Sequence, residues 1–209
     1  MKSTTCPRAT PGSRRNRSAR LPSAPPTDDV DPARRRRLVL TIACLALGVL
    51  LVDQVSKVWA ENALVAGERT PLLGSLLGLS LVHNAGAALS IATGMTWVLT
   101  AVATTVVIVV IRASRRLGSM AWSVALGLLL GGALGNLADR FLREPGIARG
   151  HVVDFIAYGN VFVGNVADIA IVAAAGLVVI LALRGIALDG SRATPRASGP
   201  SAPSGEVAP

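Results

Sequence analysis

The chain has 209 residues, of which 51% are hydrophobic and 16% charged, and its mean hydropathy is +0.54. Soluble domains carry about 25% charged residues, so this composition excludes an ordinary soluble domain and indicates a membrane protein. The net charge is +9, but ten of the 21 Lys and Arg lie in residues 1–37, without interleaved aromatic residues on which bases could stack. No nucleic-acid partner is therefore predicted.

The first 37 residues contain six prolines and many Ser and Arg, with almost no large apolar side chains. Such a segment cannot bury enough apolar surface to offset the entropy lost on ordering. Residues 1–37 are therefore predicted to be a disordered cytoplasmic tail, and residues 188–209 to be a second one. The membrane domain is predicted to span residues 38–187.

Four apolar stretches within this domain each approach the ~20 residues that a helix needs to cross a bilayer. They are Leu38–Val52 with its continuation toward Trp59, Ala92–Ile111, Leu117–Leu137 and Val161–Leu183. The sequence therefore predicts an all-α membrane protein with four transmembrane helices and with both termini on one side.

Basic residues set the orientation of these spans. Arg34–Arg37, Arg112–Arg116 and Arg184 all fall on the same side if the four spans alternate in direction. Cytoplasmic loops carry the excess of Lys and Arg in membrane proteins. Both termini are therefore predicted to be cytoplasmic, and residues 60–91 and 139–160 to be outside.

The first outer loop, residues 60–91, is long and mostly apolar after Arg69. Pro71 and several glycines make a helix unfavourable there, and the pattern predicts short strands lying on the membrane surface. This is a small extracytoplasmic β-rich segment between helices one and two. The second outer loop contains "HVVDFI" at 151–156, which is a further strand-like run.

Four aspartates fall near the outer ends of the spans. Counting residues along the helices places Asp53, Asp139 and Asp168 in one layer, with Asp154 in the loop that joins spans three and four. Ionisable groups inside a membrane are costly and usually functional, so this layer is a candidate site. An ion or proton path would spread its acids through the membrane depth, whereas these gather at one face.

Two nearly identical pentapeptides, "GNLAD" at 135–139 and "GNVAD" at 164–168, each hold an Asn and an Asp three residues apart. Residues at that spacing share one face of a helix. An amide that donates hydrogen bonds makes a buried carboxylate tolerable. The glycines of "GGALG" at 131–135 predict a close approach between helices.

Other chemistries find little support in the sequence. His83 and His151 have no third ligand at metal spacing, so no metal site is predicted. Ser56 and Lys57 are adjacent on a helix and point apart, which argues against a Ser–Lys nucleophile. A small ion or proton transporter and a non-catalytic assembly factor remain as alternatives, and the residues alone do not favour Asp154 over Asp139.

Five motifs together resemble the lipoprotein signal peptidase family, also called signal peptidase II, of bacterial membrane aspartic proteases. The resemblance covers roughly residues 40–183. The motifs are "DQVSK" (53–57), "NAGAA" (84–88), "GGALGNLADR" (131–140), "VVDFI" (152–156) and "NVADIAI" (165–171).

The resemblance implies an endopeptidase in the bacterial cell membrane, with its active site near the extracytoplasmic face. Its partners would be membrane lipids and diacylglyceryl-modified prolipoproteins, cut before the lipidated cysteine without a cofactor. It implies that Asp154 and Asp168 are the catalytic pair. The supporting and substrate-binding residues would be Asp53, Lys57, Asn84, Gly86, Asn136, Asp139, Arg140 and Asn165.

The chain also departs from the family pattern. Leu89 stands where the family usually has an aromatic residue, and Gly164 stands where it usually has Phe. The segment from Asp154 to Asp168 is shorter than usual. The geometry of this outer loop is therefore expected to differ from that of the family.

Overall fold

The computed structural model describes residues 31–86 and 96–192. Most of the two predicted tails and the position of Leu89 lie outside these residues. The disorder expected for the tails stays a prediction.

Four helices form the body of the protein, and each is long and apolar enough to cross a membrane. They are α1 (Pro32–Ala63), α2 (Thr96–Ala113), α3 (Met120–Leu142) and α4 (Val166–Leu183). The predicted number and order of the spans are confirmed.

Helix α1 begins six residues before the predicted boundary at Leu38. Asp31 caps it by accepting a hydrogen bond from Ala33 N at 3.2 Å, and Pro32 occupies the first helical position. Proline is favoured there because its missing N–H would have no helical partner. Arg34–Arg37 therefore belong to the first turns of α1.

The outer loops form one antiparallel sheet of four strands in the order β1-β2-β3-β4. The strands are β1 (Thr70–Leu73), β2 (Leu77–Asn84), β3 (Val152–Tyr158) and β4 (Phe162–Gly164). The strands expected between helices one and two are present, but half of the sheet comes from the second outer loop. β4 also takes up residues assigned to span four, so α4 begins at Val166 rather than near Val161.

Glycines of α3 bring three helices together. A Cβ on Gly131 would lie 2.7 Å from the Val49 side chain of α1, and one on Gly132 would lie 2.6 Å from the Ala167 carbonyl of α4. These distances leave no room for a side chain, as the "GGALG" run predicted. The close packing places the outer ends of α1, α3 and α4 side by side.

The sheet is anchored to the outer end of α1 by an apolar cluster that contains Ala60, Leu81, Val153 and Phe155. Side chains alternate between the two faces of a strand. Because Val153 and Phe155 pack on α1, Asp154 between them faces the opposite way, toward the start of α4.

Candidate active site

The structure brings the predicted site residues together at the ends of the helices that meet the sheet. The group draws on α1, α3 and the start of α4, together with β2, β3 and the turn after β2. Its members are Asp53, Lys57, Asn84, Gly86, Asn136, Asp139, Arg140, Asp154, Asn165 and Asp168.

Lys57 forms the centre of a fully buried ionic cluster with Asp53 and Asp139. Its Nζ lies 2.7 Å from Asp53 Oδ2 and 2.7 Å from Asp139 Oδ2, and none of the three side chains is exposed. Buried charges are tolerated when they are paired and hydrogen-bonded. We refer to these three residues as the ionic cluster.

The ionic cluster also holds the backbone beside two other aspartates. Asp53 Oδ1 accepts a hydrogen bond from Ala167 N at 2.9 Å, and Asp139 Oδ2 accepts one from Val153 N at 3.2 Å. Ala167 precedes Asp168, and Val153 precedes Asp154. The cluster therefore ties the start of α4 and strand β3 to α1 and α3.

Two residues that sequence reasoning missed extend the cluster. Gln54 Nε2 donates to Asp53 and to Asp139, at 3.1 and 3.2 Å. Arg143 Nε donates to Asp139 Oδ1 at 2.8 Å, and its Nη1 pairs with Glu61. The one available signal was the spacing of Asp139 and Arg143, four residues apart on a helix.

Asp154 and Asp168, which we call the acid pair, are held by amides instead of cations. Asp154 accepts hydrogen bonds from Asn84 Nδ2 at 2.8 Å and from Asn165 Nδ2 at 2.6 Å. Asp168 Oδ1 accepts one from Asn136 Nδ2 at 2.9 Å. Neither carboxylate has a salt bridge to any residue in the described parts of the chain.

Asn136 connects the acid pair to the ionic cluster. Its Oδ1 accepts hydrogen bonds from Lys57 Nζ and from Asn165 Nδ2, each at 3.2 Å, while its Nδ2 donates to Asp168. The lysine therefore orients the amide so that its donor group faces the carboxylate.

Asp154 lies on β3, is 2% exposed and has a perturbed acidity. Burial raises the pKa of Asp154 to about 6, the negative charge of Asp168 adds to the rise, and the hydrogen bond from Asn84 opposes it. Desolvation and a nearby like charge both disfavour the ionised carboxylate. This carboxyl can therefore gain or lose a proton close to neutral pH.

The two pentapeptides differ in structure. Asn136 and Asp139 both lie within α3, as the spacing predicted. Asn165 instead precedes α4 as its N-cap and forms a capping box: its Oδ1 accepts from Asp168 N at 3.0 Å, and Asp168 Oδ2 accepts from Asn165 N at 3.2 Å. The shared helical face expected for this second pair is therefore wrong.

Two glycines shape the walls around the acid pair. Gly86 has a φ of +117°, which favours glycine, and its N donates to Asn84 Oδ1 at 2.8 Å. A Cβ on Gly164 would lie 2.7 Å from the Phe162 ring and 3.0 Å from Asp168 Oδ2. Phe162 thus fills the space beside Gly164, so a larger side chain at position 164 would displace this ring.

Comparison with known proteins adds to this geometry. The family model described as signal peptidase (SPase) II matches residues 45–184. The chain belongs to the signal peptidase II family.

Curated relatives and solved structures agree with this assignment. The lipoprotein signal peptidase of Mycolicibacterium smegmatis is 49% identical over 175 residues, covering 80% of this chain and 73% of the relative. That of Rhodococcus jostii is 49% identical over 170 residues, covering 81% and 83%. A solved bacterial membrane enzyme, determined by the in meso method at 1.9 Å, matches with a TM-score of 0.61 and 27% identity, covering 69% of this chain and 93% of its own.

As a member of the signal peptidase II family with four membrane-spanning helices, this protein is a peptidase of a bacterial cell membrane. The comparisons do not support the small ion or proton transporter. The resemblance first noticed in the five motifs is confirmed.

Arg140 stands out at the site of this signal peptidase II. It is 7% exposed, and its Nη1 has no hydrogen-bond partner among the residues that the structure describes. It lies close enough to Asp139, Asp154 and Asp168 for their charges to act on it. Buried donors are rarely left without an acceptor, so this atom is a candidate for contact with a ligand.

An open groove of about 630 Å³ lies beside Asp168. Its walls are almost entirely apolar, and they come from the β3–β4 hairpin and one face of α4. The lining residues are Tyr158, Phe162, Asp168, Ile169, Ile171, Val172 and Ala173. Asp168 is therefore accessible from this apolar groove, whereas Asp154 does not line it.

Proposed function

We propose that this chain removes signal peptides from diacylglyceryl-modified prolipoproteins, cutting before the lipidated cysteine, by an aspartic mechanism that uses Asp154 and Asp168. The supporting observation is the set of amides that holds the acid pair. Asn165 contacts both Asp154 and the backbone of Asp168, and Asn136 contacts both Asn165 and Asp168. Two carboxylates connected through shared amides, without a cation on either, favour sharing one proton.

The two acids take different roles in this proposal. Asp154 carries the shared proton, because its deep burial raises its pKa to about 6. Asp168 borders the open groove and acts as the base. Pairs of titratable groups with contrasting environments are typical of acid–base catalysis.

The reaction then proceeds by addition of water and loss of the amine, and the acid pair supplies the proton transfers for both steps. Asp168 removes a proton from a water molecule, whose oxygen attacks the scissile carbonyl carbon, while Asp154 donates its proton to the carbonyl oxygen. The resulting diol collapses when Asp168 returns its proton to the leaving nitrogen and Asp154 recovers one from a hydroxyl. The C–N bond breaks, and the enzyme regains its starting protonation.

Charge pairing supports Asp154 over Asp139 as the partner of Asp168. Asp139 contacts Lys57 through Oδ2 at 2.7 Å and Arg143 through Oδ1 at 2.8 Å, so a cation occupies each of its carboxylate oxygens. A carboxylate occupied in this way offers no free oxygen to a substrate or to a transferred proton. We assign Asp139 to the support of the site.

Substrate positioning is assigned to Arg140 and to the groove. The buried Nη1 of Arg140 is available to a peptide carbonyl of the substrate. The apolar groove beside Asp168 suits a substrate whose acyl chains hold the scissile bond at the membrane boundary.

The proposed orientation has both termini in the cytoplasm and the site at the extracytoplasmic face. It rests on the arginines at the inner ends of the helices, such as Arg34–Arg37 and Arg112. An impermeant thiol reagent applied to intact cells should label a cysteine placed at Gly146 but not one at Ser114. Labelling at position 114 would reverse the orientation.

The decisive experiment incubates the purified full chain in lipid micelles with a prolipoprotein that carries diacylglyceryl on its cysteine. Gel shift and mass spectrometry should find a product that begins at the lipidated cysteine. The matched control is the same polypeptide with an unmodified cysteine, which should remain intact. Equal cleavage of both would contradict the substrate assignment, and inhibition by chelators or serine reagents would contradict the aspartic mechanism.

A further inference from the structure

Four exposed apolar side chains gather at one end of the sheet, away from the acid pair. We call this group the sheet tip. Its members and their exposed fractions are Leu72 (53%), Leu73 (67%), Leu76 (79%) and Val161 (94%). A contiguous exposed apolar surface marks an interaction site more often than a free surface.

The sheet tip is a single structure built from two turns. Gly159 N in the β3–β4 turn donates to Leu76 O in the β1–β2 turn at 2.7 Å. Arg69 adds a second connection, because its Nη1 donates to Asn160 Oδ1 at 2.6 Å and its Nη2 to Ser75 O at 3.0 Å. The two turns therefore present their apolar side chains together.

Charge is distributed unevenly around the sheet. Residues 70–82 and 155–167, which form most of the strands and both turns, contain no Asp, Glu, Lys, Arg or His. Residues 140–151, which lead from α3 into β3, contain five such side chains. Water-exposed loops are usually polar. The uncharged strands and turns, with Arg69 held between the turns by its hydrogen bonds, are therefore suited to the boundary between lipid head groups and an apolar environment.

The position of the β3–β4 hairpin indicates which environment this is. The rings of Tyr158 and Phe162 stack with centroids 6.0 Å apart and line the same groove as Ile169 and Val172 of α4. These α4 residues are 48% and 70% exposed, and they lie in the first two turns of a helix suited to crossing the membrane. The hairpin therefore leans along α4 at the depth where the helix meets lipid.

We infer that the sheet tip inserts into the outer leaflet of the membrane and forms a second, non-helical contact with lipid beside the four helices. The paired strands and the bonded turns satisfy much of the backbone of this segment. Because β1 is an edge strand, the tip is placed at the level of the head groups and the first acyl carbons rather than in the hydrocarbon core. Because Phe162 and Gly164 lie between the tip and Asp168, insertion would set the depth of α4's first turn. The inference does not depend on the peptidase mechanism.

The test measures the depth of single cysteines in lipid vesicles. In the full chain with Cys6 and Cys44 replaced by Ser and Ala, Leu76→Cys and Val161→Cys are labelled with an environment-sensitive fluorophore. The vesicles are phosphatidylcholine with phosphatidylglycerol, with or without a nitroxide at a shallow acyl position. Val172→Cys on the lipid-facing side of α4 is the inserted control, and Arg149→Cys in the charged loop is the aqueous control.

We expect nitroxide quenching at positions 76 and 161 to be within twofold of that at 172 and at least threefold above that at 149. Quenching at 76 and 161 equal to that at 149 would overturn the inference. The tip could instead be protected from both the lipid nitroxide and a water-soluble quencher, to an extent that increases with the protein-to-lipid ratio. That result would mean that a second copy of the chain covers the tip, and it would also overturn the inference. Quenching at 172 reports correct insertion of each preparation.

Discussion

The ionic cluster and the acid pair occupy the same layer of the protein, yet their carboxylates have different partners. Asp53 and Asp139 lie 2.7 Å from the ammonium group of Lys57. Asp154 and Asp168 accept hydrogen bonds from asparagine amides, which donate without adding a positive charge. In the proposed mechanism, the ionic cluster therefore has a structural role and the acid pair exchanges protons.

Hydrogen bonds also connect the ionic cluster to the acid pair. Asn136 accepts from Lys57 and donates to Asp168, while Asp139 and Asp53 hold the backbone next to each member of the acid pair. The ionic cluster can therefore position the acid pair without taking part in proton transfer. Changes in the two regions should accordingly have different consequences.

Replacing either member of the acid pair should have the largest effect on activity. Asp154→Asn and Asp168→Asn keep the shape of the side chain but remove a transferable proton or a base, so single-turnover cleavage should fall by roughly 10²- to 10⁴-fold. The double variant should be little worse than either single one, because the pair acts as a unit. A non-catalytic assembly factor would tolerate all three variants.

Asp139→Asn is the control from the ionic cluster. Its rate per folded molecule should fall less than that of either acid-pair variant. Normal cleavage by Asp154→Asn together with an inactive Asp139→Asn would show that Asp139 is the partner of Asp168, and the comparison between the two regions would be wrong.

Replacing Lys57 should lower the free energy of unfolding strongly and the rate of cleavage per folded molecule much less. Lys57→Met leaves Asp53 and Asp139 buried without their shared partner, and breaking a buried ion pair in this way costs about 3–5 kcal/mol. The measurement is the free energy of unfolding in mixed micelles. Adding Asp53→Asn should recover part of the loss, since Asp139 retains Arg143. Wild-type stability in Lys57→Met would refute the structural role of the cluster.

The residues that link the regions or face the substrate should have intermediate effects. Asn136→Ala, Arg140→Ala and Asn165→Ala each remove a positioned polar group, and a hydrogen bond to a charged group contributes ~1.5–3 kcal/mol. Cleavage should fall roughly ten- to a hundredfold while the protein still inserts. Ser56→Ala is the matched control, because Ser56 Oγ donates to the Asp53 carbonyl oxygen at 2.9 Å and, among residues 31–86 and 96–192, to no other site residue. Rates equal to that control would mean that the three side chains only fill space.

The smallest expected effect is a shift of the pH profile of kcat/KM in the Asn84→Ala variant. If Asp154 is the acid, kcat/KM should fall as pH rises through about 6, because deprotonation removes the donated proton. A pair that shares one proton loses its base when a second proton binds, so kcat/KM should also fall at lower pH, and both limbs belong to the coupled pair. Asn84 stabilises ionised Asp154, so Asn84→Ala should raise the pKa of Asp154 and move the alkaline limb to higher pH. A limb that stays in place or moves down would contradict this assignment.

The sequence by itself determined the four spans, the layer of aspartates and the family. Hydropathy depends on the composition of each segment, and the motifs lie in short continuous stretches, so both can be recognised without a fold. The sequence predicts element boundaries less accurately where one apolar segment could form either a strand or a helix. The apolar stretch that predicts α4 begins near Val161, because Phe162–Gly164 is as apolar as the helix that follows, and only the pairing with β3 makes it a strand.

Only the tertiary structure decided which partner each carboxylate has. Lys57 and Asp139 are 82 residues apart in sequence, and so are Glu61 and Arg143, yet each pair is in direct contact. Whether an aspartate faces a cation or an amide depends on how closely α3 packs on α1 and α4, which its glycines permit. Charge interactions change steeply over a few ångströms in a buried site, so counting residues along a helix places an acid in the right layer but does not assign its role.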